Sequence, residues 1–101
     1  FVDYNKSQND GDLNNIMSFV PLAEKFKAFQ WHVQEINGHS HTEIQKAIIN
    51  AKKNQAHPSV IIANTQKGYL THDQILFKGS HSGTLLSEDL QHAKSFLKEE
   101  L

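Results

Sequence analysis

A run of apolar residues, Val60-Ile61-Ile62-Ala63, follows Pro58 and Ser59 and limits the folds open to this chain. A strand with one face in water alternates apolar and polar residues, whereas a strand covered on both faces is apolar throughout. Strands of the second kind occur in parallel sheets that carry helices on both faces. The run therefore predicts a buried strand in an α/β fold, with a parallel sheet and flanking helices.

The segments before and after this run supply the other elements of such a fold. Strands are predicted over residues 1–4 and 31–36, and helices are predicted from Pro21, after Ser40 and after Ser87, which is expected to cap the last helix. The second helix begins with the Ser-x-x-Glu spacing of a capping box. Residues 64–86 show no clear period, so we expect a long loop there. The order strand, helix, strand, helix, strand, loop, helix is typical of a parallel α/β sheet.

Composition and charge exclude several classes of protein. The chain has 101 residues and a formal net charge of −1, so it offers no basic surface to nucleic acid or an anionic membrane. It has no cysteine, which excludes a disulfide scaffold, a thiolate nucleophile and cysteine-based zinc sites. No apolar run approaches the ~20 residues of a membrane span, and we expect no signal peptide. These features favour a cytoplasmic protein, and the first residue, Phe1, indicates a fragment or a processed chain.

Polar residues follow each of the three predicted strands. They are Asn5-Lys6-Ser7, Gly38-His39 and the segment 64–68, which includes Lys67. Ligands of open α/β sheets bind outside the carboxyl ends of the strands, so an amide, an imidazole and an ammonium group are expected at one edge. This combination favours an anionic ligand held with a hard cation, Mg²⁺ or Ca²⁺, because amide and carbonyl oxygens suit such ions. The alternative, that these are ordinary polar loop residues, stays open on pattern alone.

Other kinds of site have weaker support in the sequence. His39 and His41 form the closest pair among the seven histidines, with Glu43 nearby, but a structural zinc site needs a fuller set of ligands. The chain has no Gly-x-Ser-x-Gly elbow and no Walker-type or dinucleotide glycine motif. We therefore expect neither a dedicated zinc site nor a nucleotide-binding loop of these kinds.

Four blocks of the sequence resemble the transketolase family in order and spacing. Residues 3–11 (DYNKSQNDG) resemble the segment usually written DYNKIQLDG, and residues 21–31 (PLAEKFKAFQW) resemble PLAEKFKAFGW. Residues 33–39 (VQEINGH) are similar to VIEVDGH, and residues 58–68 (PSVIIANTQKG) resemble PTVIIAKTIKG. The interval from Gly68 to His81 also matches the interval from that glycine to the histidine of the family's WHG motif.

The resemblance implies a role for particular residues. Residues 1–101 correspond to the later half of the family's N-terminal, diphosphate-binding domain, so the family's Gly-Asp-Gly motif would lie upstream. Asn5 matches the asparagine that binds the divalent cation and contacts the diphosphate, and Ser7 stands where a backbone carbonyl binds the same ion. Lys67 matches a residue that contacts the cofactor. His81 matches the catalytic histidine near the cofactor and the donor sugar.

The resemblance also implies an activity and partners. Family members transfer a two-carbon ketol unit between sugar phosphates with thiamine diphosphate and Mg²⁺ or Ca²⁺, as in the pentose phosphate pathway. They place the cofactor between subunits, so a homodimer or a split-subunit assembly with the remaining domains is expected. Departures at Leu70, Ser80 and residues 82–85 leave two alternatives open: a related enzyme such as a deoxyxylulose-phosphate synthase, or an inactive or differently specific domain kept for subunit assembly.

Overall fold

A computed structural model describes residues 1–8, 11–18, 20–71, 74–76 and 83–99 of the chain. The chain divides into two compact units, Phe1–Thr65 and Gln66–Leu101. Within the described residues, no helix has the length and apolar character needed to cross a membrane.

The first unit is built on a three-stranded parallel sheet. Its strands are β1 (Val2–Tyr4), β4 (His32–Asn37) and β5 (Ser59–Asn64), in the order β1-β5-β4. Strand β5 lies in the centre, and its residues 60–63 are all buried, as the apolar run predicts. Asn64 pairs with Tyr4 on one side and with Asn37 on the other, so the three strands end in the same row. The prediction of an α/β fold with a parallel sheet and flanking helices is confirmed.

Two helices of the first unit cover opposite faces of this sheet. Helix α2 (Leu22–Ala28) contributes Ala23 to a buried cluster with Val60 and Ile62 of β5. Helix α3 (His41–Lys53) lies on the other face, because Gln34, which pairs with Ile61 in register, donates its side-chain N–H to the Ala47 carbonyl at 3.0 Å. Because a helix lies on each face of the sheet, residues 60–63 of β5 are all apolar.

The predicted helix starts are right to within one residue. Pro21 is the N-cap of α2 rather than its first residue, because its ψ of 110° is still extended. At α3, Ser40 Oγ accepts from the Glu43 backbone N–H at 3.3 Å, as a capping box requires. The second hydrogen bond of a capping box, from the Ser40 backbone N–H to the Glu43 carboxylate, is replaced. The carboxylate accepts from the backbone N–H of Asn37 at 2.8 Å instead. Glu43 thereby connects the start of α3 to the end of β4.

Residues 5–20 form a polar connection between β1 and α2. The described part contains two short antiparallel strands, β2 (Ser7–Gln8) and β3 (Gly11–Asp12), followed by one turn of helix, α1 (Leu13–Ile16).

The second unit contains a two-stranded antiparallel hairpin and a helix. The hairpin consists of β6 (Tyr69–Thr71) and β7 (Gln74–Ile75), and the helix α4 spans Ser87–Glu99. The expectation of a loop without regular structure over residues 64–86 is therefore wrong where the hairpin lies. Two strands of three and two residues are too short to leave a period in the sequence.

Candidate functional site

The loop after β1 turns on the side chain of Asn5. The Asn5 amide oxygen accepts hydrogen bonds from the Ser7 backbone N–H at 3.1 Å and from the Ser7 hydroxyl at 3.4 Å. This is an Asx turn, and it requires the intervening residue to fold back. Lys6 does so with a φ of 61°, in the left-handed region. The turn brings Asn5 and Ser7, the two predicted cation ligands, into direct contact at the carboxyl edge of the sheet.

The other end of the Asn5 amide is held by Asp3. Asn5 Nδ2 donates to Asp3 Oδ2 at 3.3 Å, and the Thr65 hydroxyl donates to the other carboxylate oxygen, Asp3 Oδ1. Asp3 belongs to β1 and Asn5 follows that strand, so this hydrogen bond joins the strand to the loop after it. Thr65 directly follows β5, so these hydrogen bonds join the ends of two neighbouring strands.

Thr65 also contacts the third strand end. A Cβ atom added to Gly38 would collide with the Thr65 methyl group and would lie 3.1 Å from both the Ala63 Cβ and the Asn64 carbonyl oxygen. The Gly38 backbone N–H donates to that carbonyl oxygen at 2.8 Å. Gly38 is therefore required by the close approach of the chain ends after β4 and β5, which makes the edge compact.

His39 follows the turn after β4 and is half-buried. Its backbone N–H donates to the side-chain oxygen of Asn37 at 3.0 Å, in a second Asx turn. Strands β1 and β4 flank β5, so the chain positions after them are roughly 10 Å apart at the usual strand spacing. The predicted amide and imidazole thus follow the two outer strands of the same edge.

Lys67 belongs to the second unit and is half-buried. It stands at the corner of a turn in which the Tyr69 backbone N–H donates to the Gln66 carbonyl at 3.3 Å. The next residue, Gly68, has a φ of 71°, and a Cβ there would meet the Leu76 carbonyl group. The turn therefore needs glycine after Lys67, as the Lys-Gly pair of the sequence provides.

His81, the predicted catalytic residue, lies outside the residues that the structure describes, and its role stays a prediction. In the described part of the chain, no three His, Asp or Glu side chains are grouped in a way that could hold a metal ion.

Comparison with known proteins decides the family. A sequence model described as transketolase, thiamine diphosphate binding domain, matches residues 1–99. The chain belongs to the transketolase family. The family resemblance predicted from four sequence blocks is thereby confirmed, and the matched domain is one that binds thiamine diphosphate.

Two relatives show how this transketolase-family chain compares with longer proteins. The 6-deoxy-6-sulfo-D-fructose transketolase subunit SqwG of Clostridium sp. (strain MSTE9) is 50% identical over 68 residues, which cover 67% of this chain and 25% of that protein. Transketolase 2 of Escherichia coli (strain K12) is 30% identical over 98 residues, or 96% of this chain and 14% of that protein. The transketolase-family chain thus spans a quarter or less of each of these two relatives.

The donor set of the Asn5 loop fits Mg²⁺ or Ca²⁺, the cation that the family resemblance implies. The Asn5 side-chain oxygen and the Ser7 backbone carbonyl are the neutral oxygen ligands that Mg²⁺ and Ca²⁺ accept. The Asn5 amide is oriented at both ends, since a carboxylate holds its nitrogen and a backbone N–H contacts its oxygen. The diphosphate would bind against this edge, where the strands end.

Sequence reasoning missed two residues of the candidate site, Asp3 and Thr65. The Asp-x-Asn spacing of Asp3 and Asn5 was available as a signal, because the two residues are close in the sequence. Thr65 could not be assigned to Asp3 in this way, since their contact depends on the pairing of β1 with β5. These strands are far apart in the sequence, and only the sheet order shows that they are adjacent.

Proposed function

We propose that the complete protein carrying this chain is a transketolase-type enzyme, which transfers a two-carbon ketol unit from a ketose to an aldose phosphate. The observation that carries the proposal is the match to the thiamine diphosphate binding domain over residues 1–99. The Asn5 loop supports it, because the edge where cofactors bind in α/β sheets carries an oriented amide oxygen.

The residues of this chain would divide the binding of the cofactor between them. The Asn5 side-chain oxygen and the Ser7 carbonyl would bind Mg²⁺ or Ca²⁺, which in turn neutralises the diphosphate. The family resemblance assigns Lys67 to contact with the cofactor, and His81 to contact with the cofactor and the donor sugar. When bound, thiamine diphosphate supplies the stabilisation of the carbanion that the carbon–carbon chemistry needs.

Two donor classes follow from the comparisons. A sugar phosphate is the donor that the transketolase family implies, as in the pentose phosphate pathway. The second candidate is 6-deoxy-6-sulfo-D-fructose, because the 50% identical relative is named for that substrate. Both donors are ketoses with an anionic group at one end of the chain, so a single assay format can compare them.

Other parts of the protein would complete the site. Because this chain spans 25% of the relative named as a transketolase subunit, we propose a split-subunit assembly or a homodimer that adds the missing ligands. A cytoplasmic location is part of the same proposal and rests on the absence of cysteine and the soluble sugar substrates of the family.

The experiment is a ketol-transfer assay on the complete protein with its partner subunit. The protein is incubated with thiamine diphosphate, Mg²⁺, an aldose phosphate acceptor and either a ketose phosphate or 6-deoxy-6-sulfo-D-fructose. Transfer from either donor, abolished by a chelator and restored by Mg²⁺, is expected. Cofactor binding without transfer from either donor would show a domain kept for assembly, and the proposed activity would be wrong.

A further inference from the structure

Asp3 uses both oxygens of its carboxylate within the strand ends of the first unit. Oδ2 accepts from the Asn5 amide nitrogen at 3.3 Å, and Oδ1 accepts from the Thr65 hydroxyl. Asp3 is exposed and pairs with Ala63 in register, so it is not part of the buried core. Its two hydrogen bonds therefore serve the geometry of the edge rather than the packing of the sheet.

The chemistry of a carboxylate fixes which way the Asn5 amide faces. An ionised carboxylate only accepts hydrogen bonds, so it selects the nitrogen end of a neighbouring amide. The oxygen end of Asn5 is then directed to the opposite side, where it accepts from the Ser7 backbone N–H at 3.1 Å. If the amide turned over, an NH₂ group would replace the oxygen, and such a group cannot ligate a cation.

Thr65 fixes the Asp3 carboxylate, which in turn orients the Asn5 amide. Its hydroxyl donates to Asp3 Oδ1, and its backbone N–H donates to the Tyr4 carbonyl at 3.4 Å. The Asp3 carboxylate is therefore fixed by the residue that follows β5, a strand whose residues 60–63 are buried. The hydrogen bonds run from Thr65 through Asp3 to Asn5 and onward to Ser7.

We propose that Asp3, anchored by Thr65, is a positioning residue that keeps the Asn5 side-chain oxygen turned toward the divalent cation of the diphosphate site. The proposal rests on the proposed function, since it assigns Asn5 to that cation. Asp3 itself acts through the Asn5 amide and needs no contact with the cation or the cofactor. Residues that orient metal ligands in this way commonly change metal affinity by about 10- to 100-fold when they are replaced.

The test is a double-mutant cycle on the complete protein, read out as the affinity for Mg²⁺ in the presence of thiamine diphosphate. Asp3→Asn offers only one acceptor oxygen to two donors and adds an NH₂ group that selects the oxygen of Asn5. We expect Asp3→Asn to weaken Mg²⁺ binding by about 10- to 100-fold. In an Asn5→Ala background the same substitution should change the affinity by no more than about twofold, because no amide remains to be positioned.

Equal losses of affinity in both backgrounds would overturn the proposal, because they would show that the negative charge of Asp3 acts on the cation without Asn5. An unchanged affinity in Asp3→Asn would overturn it as well. In either case the wild-type protein still binds cofactor and cation, so the proposed function stands. Absence of binding by the wild-type protein would instead reject the proposed function.

A second pair of variants decides the question if Asp3→Asn does not fold. Thr65→Val removes the hydroxyl that anchors the carboxylate and keeps the side-chain shape, whereas Thr65→Ser keeps the hydroxyl. We expect Mg²⁺ affinity to fall severalfold in Thr65→Val and to stay at the wild-type value in Thr65→Ser. Equal affinities in these two folded variants would contradict the role assigned to Asp3 and its anchor.

Discussion

At the residue scale, Asn5 is an observed turn residue and the proposed ligand of a cation, and its geometry accommodates both roles. Its amide oxygen closes an Asx turn onto the Ser7 backbone N–H at 3.1 Å, which stabilises the loop before any ligand binds. An amide oxygen has two lone pairs, so the turn and a cation can share it once the Ser7 hydroxyl, which donates from 3.4 Å, turns away. The two roles differ in what their loss changes: the turn affects folding stability, and the ligand affects the requirement for the cation.

We expect Asn5→Ala to raise the Mg²⁺ or Ca²⁺ concentration needed for half-maximal cofactor binding by at least about tenfold. Water can replace the lost oxygen but without its fixed position, so excess cation should restore binding. The measurement is a cation titration of the complete protein in the presence of thiamine diphosphate.

Asn54 provides the matched control for this substitution. It is half-buried like Asn5, and its side-chain oxygen accepts from the Ala56 backbone N–H at 3.2 Å in the same kind of turn. Asn54→Ala should lower the free energy of unfolding by about 1 kcal/mol and leave the cation requirement unchanged. If Asn5→Ala behaves in the same way, Asn5 is a turn residue and the ligand assignment is wrong.

Lys67 is expected to bind the diphosphate. Lys67→Ala should weaken thiamine diphosphate affinity or turnover by about tenfold or more without unfolding the protein, because the charge-assisted contact is lost while the turn with Gly68 remains. Lys94, exposed on α4, is the control, and Lys94→Ala should leave both quantities unchanged. Unchanged affinity together with unchanged turnover in Lys67→Ala would identify a solvated loop lysine.

At the scale of the elements, the carboxyl edge of the sheet depends on Gly38. This residue lets the turn after β4 approach the end of β5, where the Thr65 methyl group and the Asn64 carbonyl oxygen leave no room for a Cβ. The approach keeps the ends of β1, β5 and β4 in one row, with Asn64 between Tyr4 and Asn37.

Gly38→Ala should therefore lower the free energy of unfolding by about 1 to 3 kcal/mol, the usual cost of an added methyl group in a filled space. Thr65→Ser removes the methyl group that the new Cβ would meet, while it keeps the hydroxyl for Asp3. We expect the double variant to recover part of the loss in urea unfolding. A fully additive loss would show that the Thr65 methyl group is not the obstacle.

The sequence determines the elements well where the period is long or the caps are strong. The strand over residues 31–36 is observed one residue later, as His32–Asn37, and the helix after Ser40 begins where its cap predicts. The sequence does not predict the hairpin of β6 and β7, because its strands are too short to show a period. The apolar spacing of α4 also does not predict which of its residues are buried. Leu90 and Leu97 are 38% and 52% exposed within this chain, while Ala93 between them is buried.

The sequence predicts the proposed ligands of the candidate site but not the residues that hold them in place. Asn5 and Ser7 follow from the family resemblance, and the structure brings them into contact. The anchoring of Asp3 by Thr65 depends on strands β1 and β5, which the order β1-β5-β4 brings together. The roles of Asn5, Ser7, Lys67 and His81 toward the cation and the cofactor remain predictions.

At the scale of the whole molecule, this chain matches only part of the length of its relatives. It spans 25% of the sulfosugar transketolase subunit and 14% of the Escherichia coli enzyme. The Asn5 loop offers one side-chain oxygen and one backbone carbonyl, fewer than the octahedral shell that Mg²⁺ prefers. We therefore propose that other parts of the complete protein and the cofactor supply the remaining ligands of the cation.

The isolated 101-residue chain should accordingly show no ketol transfer. The assay is the one used for the complete protein, with the chain alone and then with the remaining domains or the partner subunit added. We expect activity only in the second case. Ketol transfer by the purified chain alone would contradict the proposal that its site is completed from elsewhere.

The central claim is that the carboxyl edge at Asn5 binds thiamine diphosphate through a divalent cation. The most direct test is a calorimetric titration of thiamine diphosphate into the complete protein, with Mg²⁺ present and with a chelator. We predict saturable binding that requires the cation, and for Asn5→Ala a lower affinity at limiting Mg²⁺ that excess Mg²⁺ restores. Absence of binding, or binding that neither the chelator nor Asn5→Ala alters, would contradict the claim.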